Sequence, residues 1–287
     1  MHCGCYLYYQ AFISDTVSNG RKPQAMTTSS TFDWNPATLF LDGSFLSQFA
    51  LVILNQPLRN GETLDTLWDN GSLDTGGRRR RGESPFRSRC QDQKYRRSHS
   101  DDLDAIVGDL DSLLPSVRAH YASLADPTHV IHDADQESTD FGKAVSWIRA
   151  RHPRCTDIVA LGGLGGRVDQ GLSQLHHLYL FQPGPGYELG RVFLLSGQSL
   201  TFLLKPGTHR IRVRDGGVGF FGKHVGIVPI GEPSVITTKG LEWDVENWET
   251  QFGGRMSTSN HILPDTQVVE VETTRGVLFT VALREAE

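Results

Sequence analysis

Three short polar stretches of this chain have the residue types and spacing for phosphate chemistry. GDLDS, Gly108 to Ser112, sets Asp109 and Asp111 two residues apart, where an extended or turning backbone can aim both carboxylates the same way. Such a pair suits Mg²⁺, which takes a few carboxylates together with phosphate oxygens and water; a solvated turn would use the same residues. DADQESTDF places Asp140 in the first turn of a helix, where the helix dipole stabilises a carboxylate, so simple capping competes with metal binding there. LGGLGGRVDQ, Leu161 to Gln170, carries Gly162, Gly163, Gly165 and Gly166 ahead of Arg167 and Asp169. Glycine backbone can approach a phosphate closely, and a helix N-terminus and an arginine both favour an anion. The stretch is not GxGxxG, because Val168 takes the last glycine position, and it lacks the GK[ST] of a P-loop. A tight structural turn is its competing use. Carboxylates for a divalent cation beside a glycine and arginine loop for phosphate point to transfer from a nucleotide, driven by positioning and charge neutralisation.

Positioning these motifs requires a sheet edge. LVILN, Leu51 to Asn55, is a short β-branched run that reads as a buried strand. Ala105 to Val107 and His129 to Ile131 read as strands, as do DIVALGG and RVFLL. Between them lie helices: one starting at Pro115 with Val117, Tyr121 and Leu124 on one face, one capped by Ser138 or Thr139 with Phe141, Val145 and Ile148 on one face, and one through GGRVDQGLSQLHHLYLF. Alternating βα units imply a largely parallel sheet covered on both faces, and ligands of such sheets bind beyond the C-terminal strand ends, where all three motifs fall. After Gly197 the rhythm changes to short β-rich runs (SLTFLL, HRIRV, VGIVPI, SVITT, QVVEVE, VLFTVAL) split by Gly, Pro and polar turns, as in an antiparallel sandwich or barrel. The expected organisation is a disordered or spurious extension over 1–35, with Met26 an alternative start, an α/β domain over 36–196, and a smaller all-β sandwich domain over 197–287.

Composition sets outer limits. The chain of 287 residues is 38% hydrophobic and 21% charged, with a formal net charge of -5, and no window reaches the roughly 18 apolar residues of a membrane span. The apolar CYLYYQAFI near the start has no preceding basic residue, so a secretory signal is not expected. Cys3, Cys5, Cys90 and Cys155 are scattered and read as reduced cytosolic thiols. Between Asp74 and Arg97, eight arginines and one lysine face three acidic residues. Only Phe86 and Tyr95 interleave with these charges, too few stacking aromatics for a nucleic-acid site.

GDLDS, DQESTDF, LGGLGGRVDQ, LLKPGTHRI, TTKGLEWDV and STSNHI occur in the order found in thiamine pyrophosphokinases, particularly the fungal ones, and the chain resembles that family over Leu51 to Leu58 and from Asp102 to Leu283. The resemblance implies an ATP- and Mg²⁺-dependent transfer of a pyrophosphoryl group to thiamine, giving thiamine diphosphate and AMP, in a cytoplasmic homodimer with active sites shared between subunits. It implies that Asp109, Asp111 and Asp140 hold Mg²⁺ and the ATP phosphates and that Gln136 faces thiamine. Arg167 and Asp169 would belong to the nucleotide-side loop with Gly163, Gly165 and Gly166. Trp243 would stack on thiamine from the partner subunit, near Ser257, Thr258, Ser259 and Asn260. An aromatic face suits a cationic thiazolium; without the resemblance, Trp243 would read as an ordinary core aromatic of the sandwich.

One region departs from the family pattern. A DGGANR-type motif with an acidic residue is expected after the second strand, yet here the chain reads LDTGGRRRRGESPFRSRCQDQKYRRSHSDD, in which only Asp74, Gly76 and Gly77 echo it. Asp74 to Ser100 shows neither helical nor strand periodicity, as expected of a stretch translated in a shifted frame or across a misplaced splice junction. The alternative function is therefore a catalytically impaired homologue that binds thiamine or nucleotide.

Overall fold

The computed structural model describes residues 30–41, 49–54, 66–67, 87–89, 103–111, 113–125, 127–152, 156–162, 164–214 and 219–284. Among the described residues fifteen strands are numbered in chain order. β1 is Thr31–Trp34, β2 Phe49–Ile53, β3 Arg87–Arg89, β4 Ala105–Gly108, β5 His129–His132, β6 Asp157–Leu161 and β7 Val192–Leu195. β8 is Ser199–Leu204, β9 Gly207–Arg212, β10 Phe221–Val228, β11 Ser234–Lys239, β12 Trp248–Thr250, β13 Ser257–His261, β14 Val268–Thr273 and β15 Val277–Leu283. Among the described residues a 3-10 helix spans Pro36–Phe40, and the α-helices used below are α1 (Pro115–Ala122), α2 (Asp140–Arg151) and α3 (Val168–Leu180).

Ten strands make one sheet in the order β13-β10-β15-β8-β7-β6-β2-β3-β4-β5. From β7 to β5 every pairing is parallel; from β7 to β13 every pairing is antiparallel. The α/β and all-β parts therefore share a continuous sheet. A second sheet, β1-β9-β14-β11-β12, packs on it to complete the sandwich. β2 shows why: all five of its residues are buried, and successive side chains point to opposite faces. Phe49, Leu51 and Ile53 enter the core that holds Trp34, Phe202, Phe279, Ile211 and Val271. Ala50 and Val52 enter a second core with Phe141, Val145, Ile148 and Leu178 of α2 and α3. The stripe read on α2 is the buried one, and Thr139 is its N-cap, its hydroxyl accepting from the Gly142 amide.

Two sequence expectations are corrected. Residues 31–34, assigned to an extension outside the fold, form β1, parallel to β9. Trp34 is 3% exposed and stacks on Phe202 at 4.6 Å, while its indole N–H donates to His209 Nδ1 at 2.9 Å. A two-residue alternation of aromatics with Thr and Asp is too short to register as a strand, and its partner lies far along the chain. The basic segment does contain a strand: β3 sits between β2 and β4, with Val52 opposite Ser88 and Ser88 opposite Ala105. Ladder bonds come from backbone, so a polar RSR triplet can fill a gap between two apolar strands. Residues 74–86 and 90–100, including Arg78 to Arg81, lie outside the described residues. A smaller difference concerns Leu124, which follows α1 instead of lying on it.

Candidate active site

Because β2, β4, β5 and β6 run parallel, Ile53, Gly108, His132 and Leu161 end at one edge, and the chain turns there into GDLDS, DADQESTDF and LGGLGGRVDQ. Asp109 and Asp140, 31 residues apart in sequence, meet: the Asp109 amide donates to Asp140 Oδ1 at 3.2 Å. Asp140 also lies against Gly108, where a Cβ would come within 2.9 Å of the carboxylate carbon. The amide of Asp111 donates to Asp109 Oδ1 at 3.2 Å, closing a small loop in which Leu110 takes a left-handed φ of 61°. For a branched side chain that conformation costs about 1 kcal/mol or more. Packing of Leu110 against the sandwich core holds it there. Asp111 is exposed, whereas Asp109 and Asp140 are half-buried.

Charge is unevenly balanced at this edge. Lys143, one turn along α2, has a side chain only 3% exposed and lies 3.7 Å from Asp140 Oδ1. Sequence reading passed over this buried cation, although its i+3 spacing from Asp140 was a usable signal. In the β5–α2 loop, a hydrogen bond from Ser138, aided by the Glu137 amide, holds the Asp135 carboxyl below the usual range. Gln136 is exposed there, its amide 3.5 Å from the Ala134 carbonyl.

The glycine loop enters α3 with Arg167 at the N-cap position. Gly166 has φ 73°, a left-handed turn that favours glycine, and Gly165 has nothing within 4 Å of where a Cβ would stand. Gly163 lies outside the described residues. Arg167 is not an open guanidinium: Nε donates to Asp169 Oδ1 at 3.1 Å and Nη2 to Oδ2 at 2.5 Å. This fork raises the pKa of Arg167 and lowers that of Asp169. Both groups are exposed, so the pair adds little to folding.

The other predicted residues gather elsewhere. Trp243 is 54% exposed, and its main chain is clamped by Asn260, which is 5% exposed. The Trp243 amide donates to Asn260 Oδ1 at 3.2 Å, and Asn260 Nδ2 donates to the Trp243 carbonyl at 2.9 Å. Asn260 thus faces Trp243's backbone and fixes an aromatic in the open. β13 is bulged where Val225 opposes Asn260 and Ile227 opposes Ser257, and the intervening Ser259 has φ 57°. Ser259 and Thr258 are left exposed beside it. His261, unnoticed in the sequence, packs on the Trp243 ring at 5.0 Å and meets Glu242 Oε2 at 2.6 Å through Nδ1.

In donor chemistry the acidic edge fits a magnesium ion: half-exposed carboxylates at an open strand end, leaving room for phosphate and water. It is not a preformed cage. Among the described residues no three acidic, His or Cys side chains converge on one point.

Comparison with known proteins agrees with both halves. Residues 73–185 match the family model "Thiamin pyrophosphokinase, catalytic domain", a span that includes the basic segment, and residues 208–278 match "Thiamin pyrophosphokinase, vitamin B1 binding domain". The chain is 34% identical over 248 residues to thiamine pyrophosphokinase 3 of Oryza sativa subsp. japonica, covering 82% of this chain and 87% of that protein. It is 35% identical over 249 residues to thiamine pyrophosphokinase 2 of Arabidopsis thaliana, covering 83% and 88%. Its fold is that of the yeast thiamin pyrophosphokinase structure, with a TM-score of 0.69 at 22% identity over 92% of this chain and 95% of that one. The chain belongs to the thiamine pyrophosphokinase family.

Proposed function

We propose that the chain performs its family's transfer of the pyrophosphoryl group of ATP to the hydroxyl of thiamine at the edge where Asp109 and Asp140 meet. The observation that carries this reading is that contact: two motifs distant in sequence meet at the strand-end edge, where the Asp109 main-chain amide donates to the Asp140 carboxylate, and the glycine and arginine loop leaves β6 at the same edge. Asp109 and Asp140, with Asp111 at the open side, would hold Mg²⁺. The ion, when bound, neutralises the triphosphate as charge shifts toward the leaving AMP. Arg167 exchanges Asp169 for a phosphate oxygen, Gly165 and Gly166 let the chain run close to it, and Gln136 faces thiamine. The impaired-homologue alternative has no support from the comparisons.

Strand order bears on assembly. Asp109 follows β4, ninth in the ten-stranded sheet, while Asn260 fixes Trp243 to β13, the first. At about 4.8 Å per strand that separation is roughly 40 Å, beyond the reach of one thiamine. If both ends serve the same substrate they belong to different subunits, which favours a homodimer in which Trp243 stacks on the thiazolium from the partner. Among the described residues no helix is long and apolar enough to cross a membrane, and the few scattered cysteines favour the cytosol.

The test is product analysis with purified full-length chain, ATP, Mg²⁺ and thiamine. AMP and thiamine diphosphate should appear in equal amounts; ADP with thiamine monophosphate, or no product, would contradict the reading.

A further inference from the structure

His177 is a buried polar group for which the transfer reaction has no direct use. It lies on α3, is 4% exposed, and its ring packs against Phe141 of α2 at 5.3 Å and Phe181 at 4.9 Å. An imidazole in such a place is costly unless both nitrogens are bonded. Nδ1 is 2.5 Å from the Ser173 carbonyl, and a carbonyl only accepts, so Nδ1 carries the proton and Nε2 is left as the acceptor. Nε2 is 2.8 Å from Thr139 Oγ1. That oxygen already accepts from the Gly142 amide at 3.1 Å, which leaves its hydroxyl proton free for His177. The bonds form one directed chain, Gly142 amide to Thr139 hydroxyl to His177, and His177 to Ser173. Burial lowers the His177 pKa, in keeping with a neutral ring.

The bonds join the N-cap of α2, Thr139, which precedes Asp140, to the last turn of α3, where His177 lies; the other end of the same helix carries Arg167 as its N-cap and Asp169 in its first turn. The rest of the nearby α2–α3 packing includes ring contacts such as Phe141 on Phe181 at 5.4 Å, which tolerate sliding, whereas a hydrogen bond fixes direction and register. We propose that His177 is a positioning residue: by holding Thr139 it sets the start of α2 against α3, and so the separation of the Asp140 carboxylate from the Arg167 phosphate loop. The inference rests on the reading that Asp140 and Arg167 serve the transfer. A shift of about 1 Å between such groups can cost a hundredfold in rate.

The experiment compares kcat, the Mg²⁺ concentration at half-maximal rate, the KM for thiamine and the melting temperature. His177→Phe keeps an aromatic ring between Phe141 and Phe181 but has no acceptor, and Thr139→Val has no donor and also loses the acceptor for the Gly142 amide. Each should lower kcat about tenfold to a hundredfold and raise the Mg²⁺ requirement, with the thiamine KM within about twofold of wild type. His177→Gln, which supplies an amide acceptor, and Thr139→Ser should recover most of the rate. Full turnover in folded His177→Phe, or equal losses in the Phe and Gln variants that track the melting temperature, would overturn the proposal. If His177→Phe fails to fold, the Thr139→Val and Thr139→Ser pair decides: no difference between them overturns it. Asp140→Asn separates the premises. Normal turnover in that variant removes the site reading itself, whereas its loss alongside normal His177→Phe removes only the positioning role.

Discussion

The Gly108 backbone is where two requirements of the site collide. It must end a fully buried strand and also let the Asp140 carboxylate close against it, which leaves no room for a Cβ. Gly108→Ala should therefore displace Asp140 and lower kcat by about tenfold or more while the melting temperature changes by only a few degrees; kinetics and a thermal melt on the same preparation check this, and an unchanged kcat would show that Asp140's position is not critical. At this scale the sequence was informative about residue types and poor on geometry. The acidic pair in GDLDS was readable, but the left-handed Leu110 between its members was not, because a leucine gives no local signal for positive φ and is held there by distant packing. Asn260 was expected near the thiamine pocket; what the sequence did not show is that its amide holds the Trp243 main chain, a pairing across 17 residues beside the β13 bulge.

Helices and long strands were legible because burial imposes a period on them. Phe141, Val145 and Ile148 form the stripe of α2, and Leu51 and Val52 alternate between two cores. β1 and β3 escaped because neither carries an apolar run: TFDW alternates aromatics with Thr and Asp, RSR is wholly polar, and each exists through pairing with partners that sequence does not reveal. β3 also changes how the arginine-rich segment reads, since part of it fills the middle of the parallel sheet. Ser88→Pro removes a backbone donor from a strand paired on both sides, leaves a ladder carbonyl unpaired and should destabilise the protein by about 1–3 kcal/mol. A chemical denaturation midpoint indistinguishable from wild type would mean that Arg87 to Arg89 do not belong to the sheet and that the anomaly seen in the sequence reaches the fold.

Across the whole molecule, one continuous sheet carries the acidic edge at one end and the Trp243 face at the other. That arrangement predicts complementation: Trp243→Ala and Asp111→Asn chains, each nearly inactive alone, should give about a quarter of wild-type turnover when mixed equally and allowed to re-associate as dimers. Verified hybrids without activity would argue against a shared site. The sandwich also carries a pH response. His209 is buried between the Trp34 indole, which donates to Nδ1, and the Lys205 carbonyl, and burial lowers its pKa from 6.5 to about 4. The unfolded chain then binds more protons than the folded one in that window, so His209 stabilises fully above pH 6.5, and its contribution falls away as the pH drops toward 4. The loss is on the order of 3 kcal/mol. Burial of His177 acts in the same direction, while the raised carboxyl of Asp157 opposes it just above pH 3.8. Melting temperature should fall from pH 7 to pH 4, and less steeply in His209→Gln; equal slopes would remove His209 as the cause. The central claim, that the contact of Asp109 with Asp140 marks the transfer site, is tested most directly by the turnover of Asp140→Asn at saturating Mg²⁺, ATP and thiamine. The account predicts a loss of a hundredfold or more, on the order expected when a charge that holds the metal is removed, in a chain that still folds, and turnover near wild type would contradict it.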